Sequence, residues 1–140
     1  MGPTAFNVAK RFVDSTCVVS EKMISLAVLR LLEMEKVIVE GGGAIGLASL
    51  LPGGPLYGRF KGKKVVIPLC GGNIDTAVLG RVIDRGLAAD KRLIRFVATV
   101  SDRPGGIANL CRDMAEQGVS IKDIYHERAW LHSHIDQVTT

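Results

Sequence analysis

The stretch that most limits the fold runs from Lys64 to Asp75, KVVIPLCGGNID. Val65, Val66 and Ile67 are β-branched, and Leu69 extends the apolar run into Cys70-Gly71-Gly72-Asn73. A short apolar run bounded by glycines favours a buried strand over a helix. Asp75 then stands where a helix N-cap belongs. The same order occurs once upstream, where VIVE (37–40) runs into Gly41-Gly42-Gly43 and then into the apolar AIGLASLL. A chain that repeats strand, glycine turn and helix points to an α/β fold with a parallel sheet covered on both faces.

The remaining segments extend that pattern. Residues 4–13 read as helix and TCVVS (16–20) as a short strand, with Ser20 placed to cap the next helix. From Glu21 to Glu35, Ile24, Ala27, Val28, Leu31 and Leu32 keep the helical period. PGGPLYG closes the helix that comes after the glycine run. Beyond Asp75, Val78, Leu79, Val82 and Ile83 share one side of a helix expected to stop at Gly86. The texture changes at 87–92. RLIRFVATV (92–100) alternates as a half-buried strand does, and Pro104 suits a helix's first turn. Ile107, Leu110, Cys111 and Met114 form a helical stripe ended by Gly118, and VSIKDIYHER reads as a second strand. Two parts are therefore expected: 1–91, and a β-α-β unit in 92–140.

Composition excludes several classes. No apolar run approaches the roughly 20 residues of a membrane span. MGPTAFNVAK has no secretory h-region, and Phe6 stands where a myristoylation signal prefers Ser or Thr. Cys17, Cys70 and Cys111 lack paired spacing, which argues for no disulfide framework, no zinc site and a reducing, cytoplasmic home. The net charge of +4 is scattered apart from RFKGKK (59–64), which reads as a solvated strand entrance rather than a nucleic-acid footprint. His132 and His134, with Asp136 nearby, sit in a polar tail and read as solvated rather than as a metal site.

Gly41, Gly43 and Gly46 spell G-x-G-x-x-G between an expected strand and a helix, the context of a dinucleotide fingerprint. That motif also needs an acid roughly 20 residues on for the ribose hydroxyl. No Asp or Glu occurs from Gly41 to Asn73, so nicotinamide binding is not the favoured reading.

VIVEGGGAIGLASLL, GKKVVIPLCGGNID and RLIRFVATVSDRPGGIANL, in that order and spacing, resemble the C-terminal part of the threonine dehydratases. These are pyridoxal-phosphate enzymes of the tryptophan-synthase-β fold type (fold type II), also called threonine/serine ammonia-lyases. The resemblance runs to about Arg128. It implies a C-terminal portion of the catalytic domain in 1–91 and a partial ACT-like regulatory domain in 92–140. It implies that Cys70 sits beside the pyridine nitrogen, with Gly71 and Gly72 admitting backbone close to the ring. Asn73 would pin the turn, and Glu40 would lie near the cofactor. It further implies an amino-acid substrate or effector, no nucleic acid, no membrane and a homo-oligomeric full-length parent.

The family's Schiff-base lysine stands in a Ser-Phe-Lys-type motif, and no lysine here does. The phosphate-cradling glycine loop of the family is absent too. The expectation is thus a fragment of an ammonia-lyase, inactive by itself, with no catalytic residue of its own. Two other readings stay open. One is a non-catalytic amino-acid-binding module, in which SDRPGG offers helix N-terminal amides to a carboxylate. The other is a serine-racemase-like piece.

Overall fold

A computed structural model describes residues 2–126 and 137–139. The chain divides into two compact units, Met1–Ile94 and Arg95–Thr140.

The first unit is helical. Helix α1 is Pro3–Phe12, with Pro3 at its start and no buried residue. Helix α2 is Glu21–Arg30. It continues without a break into a single π-helical turn, Leu31–Glu35, that ends on left-handed Lys36 (φ 58°). Helix α3 is Gly41–Leu50 and helix α4 is Thr76–Ala89. Helix α2 packs against both α3 and α4. Ala27, Val28 and Leu31 of its stripe form the core with Val39, Ala44 and Ala48, and Ile24, Leu79 and Val82 pack against it. The helical period of residues 21–35 therefore predicted the buried face.

Two caps form as the sequence implies. The Ser20 hydroxyl accepts the Met23 amide at 3.4 Å. Asp75 Oδ1 accepts the amides of Ala77 and Val78 at 2.8 and 3.1 Å. Two orphan donors of α4 are satisfied by one carboxylate, so Asp75→Ala should cost about 1 kcal/mol of unfolding free energy. A denaturant titration checks this. Asp75→Ser should recover most of the loss, and an unchanged midpoint for the alanine variant would rule the cap out as a contributor.

The parallel sheet is not formed among the described residues. The segments 16–20, 37–40 and 64–69 carry no strand pairing. One backbone bond, Glu40 N–H to Gly71 O at 2.6 Å, joins the second segment to the turn after the third. β-branched residues favour extended backbone but do not choose a partner, and a ladder needs a regular series of bonds. The run expected to be buried is largely open: Val66 is 94 % exposed, and Val65 and Leu69 are exposed too.

Helix α4 does not stop at Gly86. It runs three residues further and closes in a Schellman pattern, with Arg92 N–H to Leu87 O at 2.9 Å and Lys91 N–H to Ala88 O at 3.1 Å. Lys91 takes the left-handed position (φ 61°) usually given to glycine.

In the second unit, the strand expected over 92–100 reduces to β1, Thr99–Ser101. It pairs antiparallel with β2, Gln137–Thr139, through Val100 and Val138. The end of the chain thus supplies a strand. Helix α5, Gly106–Glu116, starts two residues beyond Pro104 with Gly105 as its N-cap (φ 98°). It ends in a Schellman pattern on Gly118, Val119 N–H reaching Met114 O at 3.0 Å, where the sequence placed its stop. Residues 119–126 form no strand. The described residues are α/β in content, mostly helical, and among them no sheet closes.

Candidate functional site

The candidate residues lie 30 positions apart and are brought together by the start of α3. Glu40 is the N-cap residue of α3, but its side chain caps no amide of that helix. Its own N–H holds the Gly71 carbonyl at 2.6 Å. Its side chain lies against Gly71, where a Cβ would come 2.5 Å from Glu40 Oε1. Gly71 also has a φ of 77°, so it has two separate reasons to be glycine. The space a side chain would need at Gly71 is thus filled by Glu40. Gly72 is the open one: a Cβ there would meet only the Ile38 carbonyl, at 3.8 Å.

Cys70 is exposed and its thiol is free. Its carbonyl abuts the first turn of α3 so closely that a Cβ on Gly43 would overlap it. Three residues further along the same helix face, a Cβ on Gly46 would come 2.5 Å from Ile67 Cγ2. Gly43 and Gly46 are therefore the surface on which residues 67–70 seat. They belong to the G-x-G-x-x-G, and their role here is close helix–segment packing. The signal that could have shown this role is their i, i+3 spacing, which puts both on one face of α3.

Asn73 is exposed and makes no side-chain hydrogen bond among the described residues. The backbone bond that ties the turn is the one from Glu40 N–H to Gly71 O. The arrangement leaves one wall: exposed Cys70, a carboxylate against Gly71 next to it in sequence that is not spent on capping, and an unobstructed Gly72. Such a wall can meet a polar edge of a planar ligand. It holds neither a nucleophilic lysine in a recognisable motif nor a phosphate cradle.

Elsewhere, SDRPGG lines an open depression with His126 in the second unit. Gly106 is pressed on the Ser101 carbonyl there. The basic run 59–64 lies in turns, with the Arg59 guanidinium 5.7 Å from the Phe60 ring centre. His132, His134 and Asp136 lie outside the described residues. Among the described residues no group of three or more His, Cys, Asp or Glu side chains could hold a metal ion, and no helix is long and apolar enough to cross a membrane.

No protein-family model matches the chain. Curated proteins do. It is 38 % identical over 128 residues to an L-threonine ammonia-lyase of Thermotoga maritima, covering 91 % of this chain and 31 % of that protein. It is 38 % identical over 127 residues to the L-threonine ammonia-lyase of Geobacter sulfurreducens, with the same coverage. A catabolic L-threonine dehydratase, TdcB, of Staphylococcus aureus is 37 % identical over 86 residues, 61 % of this chain and 25 % of that protein. The chain thus spans about a third or less of the length of the curated relatives it matches. Over that span, it is a homologue of the L-threonine ammonia-lyases (threonine dehydratases).

Proposed function

We propose that this chain supplies one wall of a pyridoxal-phosphate site in a threonine/serine ammonia-lyase. In this reading residues 1–91 are part of the catalytic domain of the tryptophan-synthase-β fold type. Residues 92–140 are part of an ACT-like regulatory unit. The reaction is conversion of L-threonine to 2-oxobutanoate and ammonia, with serine handled alike. The observation that carries the reading is the Glu40 N–H bond to Gly71 O at 2.6 Å, which sets the Glu40 and Cys70 segments side by side.

When bound, pyridoxal phosphate supplies an electron sink for removal of the substrate's α-proton and loss of its β-hydroxyl. The part left to this chain is positional. Cys70 would present its thiol to the ring-nitrogen edge, where a thiol is a weaker hydrogen-bond donor than a carboxylic acid. Glu40 lies beside the Cys70 segment, able to order a water or hold a polar group at the same edge. Gly72 leaves room for close approach. The residues present fit this edge of the cofactor. The Schiff-base lysine and the phosphate cradle are not among them, so no step of bond-making is assigned to this chain.

The test is a chimera. The matched segment of the Thermotoga maritima enzyme is replaced by this chain, and 2-oxobutanoate release, cofactor content and thermal midpoint are measured. The chimera should turn over threonine. Cys70→Ser should keep most of the rate, because a hydroxyl can replace the thiol. Cys70→Ala should lose cofactor more readily on dialysis. Cys70→Asp should hold a proton on the ring nitrogen and lower clean elimination by about tenfold or more while the fold survives. A silent chimera, or an alanine variant with full cofactor and rate beside an aspartate variant that loses only stability, would overturn the proposal.

A further inference from the structure

The first unit ends in four alternating charges. Arg30 closes α2, and Glu33 lies in the π-helical turn directly after it. Asp90 is the C-cap of α4, and Arg92 is two residues beyond. Arg30 Nη2 donates to Asp90 Oδ1 at 2.5 Å, and Arg92 Nη1 donates to Glu33 Oε1 at 2.7 Å. Longer contacts complete a square: Arg30 to Glu33 Oε2 at 3.5 Å and Arg92 to Asp90 Oδ2 at 3.6 Å. Each carboxylate thus meets two guanidinium groups, and each guanidinium two carboxylates. Asp90 is the most enclosed, its side chain 18 % exposed, while that of Arg92 is 50 % exposed.

This is more than a solvated surface pair. Two of the charges, Arg30 and Glu33, are fixed by one continuous helical stretch, and Asp90 by the end of another helix. Arg92 is the last charged residue before the division at Ile94 and Arg95. Its backbone is held as well: the amides of Arg92 and Leu93 both donate to Leu87 O, at 2.9 and 3.2 Å. The chain therefore leaves the first unit pinned at its main chain by a Schellman closure and at its side chain by two carboxylates.

We propose that Arg30, Glu33, Asp90 and Arg92 form an ionic latch that fixes how the linker leaves the first unit, and that releasing Arg92 frees residues 91–95. The hydrogen bond from Arg92 to Glu33, then the charges of Glu33 and Asp90, hold the Arg92 guanidinium still more firmly protonated than usual. The latch therefore does not open by deprotonation of Arg92. Ionic strength can open it, since its members are partly exposed and screening lengths fall from about 10 Å at 0.1 M salt to about 3 Å at 1 M. The latch does not depend on the proposed cofactor role.

Limited trypsin digestion of the whole chain tests this. A protease that cuts after arginine must draw the guanidinium into its own acidic pocket. Arg92 therefore has to leave Glu33 and Asp90 before the bond to Leu93 is cut. The cut after Arg59, in an exposed turn of the same unit, serves as reference in each digest, both fragments being counted by mass spectrometry. Glu33→Gln should raise cutting after Arg92 relative to Arg59 by about fivefold, the scale of a partly exposed charge pair. Asp90→Asn should raise it less, its contact to Arg92 being longer. In the unchanged chain, 1 M sodium chloride should raise it several-fold. Glu35→Gln, two residues along the same turn and outside the square, should leave it alone. Equal relative cutting in the unchanged chain, Glu33→Gln and Asp90→Asn overturns the latch. So does acceleration at both sites alike, which would report loosening of the entire unit.

Discussion

Gly43→Ala is expected to lower the stability of the first unit by about 2–3 kcal/mol, through forced overpacking against main chain. For a unit of this size that is a fall of roughly 10 °C or more in thermal midpoint. The sign is not obvious from sequence, because alanine is the better helix former by up to about 1 kcal/mol. The deciding contact is with backbone. A methyl group at position 43 would overlap the Cys70 carbonyl, and the Cys70 amide nitrogen is only 3.0 Å away. A carbonyl cannot swing aside as the end of a lysine can, so the segment carrying Cys70 must shift. That shift strains the Glu40 N–H bond to Gly71 O, whose geometry depends on the same segment.

The neighbouring glycine gives the control. A Cβ on Gly42 meets only Glu40 Oε1, at an ordinary 3.7 Å. Gly42→Ala should therefore be neutral or slightly stabilising. Thermal unfolding of the two variants, with amide exchange of Glu40 as a local probe, separates the cases. Gly43→Ala should unprotect the Glu40 amide and Gly42→Ala should not. Equal midpoints for both would mean that residues 67–70 do not seat on α3 as described.

That contrast shows which parts of the molecule a sequence can reveal. Local chemistry was legible: the Ser20 and Asp75 caps, the Gly118 stop and the stripe through Ala27, Val28 and Leu31 each depend on a few neighbouring residues. Pairing was not. Val65, Val66 and Ile67 favour extended backbone whether or not another strand lies alongside, so their pattern could not show that the ladder is absent. The closeness of Glu40 and Cys70 was not legible in spacing either. It came from resemblance to a family, and the backbone bond that produces it, Glu40 N–H to Gly71 O, spans 31 positions. The Lys91 closure of α4 was hidden for another reason. The rule that glycine ends helices pointed to Gly86, while the left-handed position went to a lysine.

Gly86 itself yields a test in which one substitution has opposite signs at two places on one helix. Gly80 and Gly86 both lie inside α4. Gly80 is exposed, and a Cβ there would meet nothing within 4 Å. Gly80→Ala should therefore stabilise by about 0.5–1 kcal/mol, the helix-interior difference between the two residues. Gly86 is buried, on the face that also carries Leu79 and Val82. A Cβ there would come 2.8 Å from the Ser25 carbonyl and 2.9 Å from Leu29 Cβ, both on α2. Neither can yield without moving the helix, and Leu29 is only 2 % exposed. Inserting the methyl group pushes α2 and α4 apart where they pack most closely. The loss, about 2 kcal/mol, exceeds the propensity gain. Denaturant midpoints of the two alanine variants should thus move in opposite directions from the unchanged chain. If Gly86→Ala stabilised the protein as Gly80→Ala does, the glycine would be a tolerated helix defect rather than the point where the two helices cross.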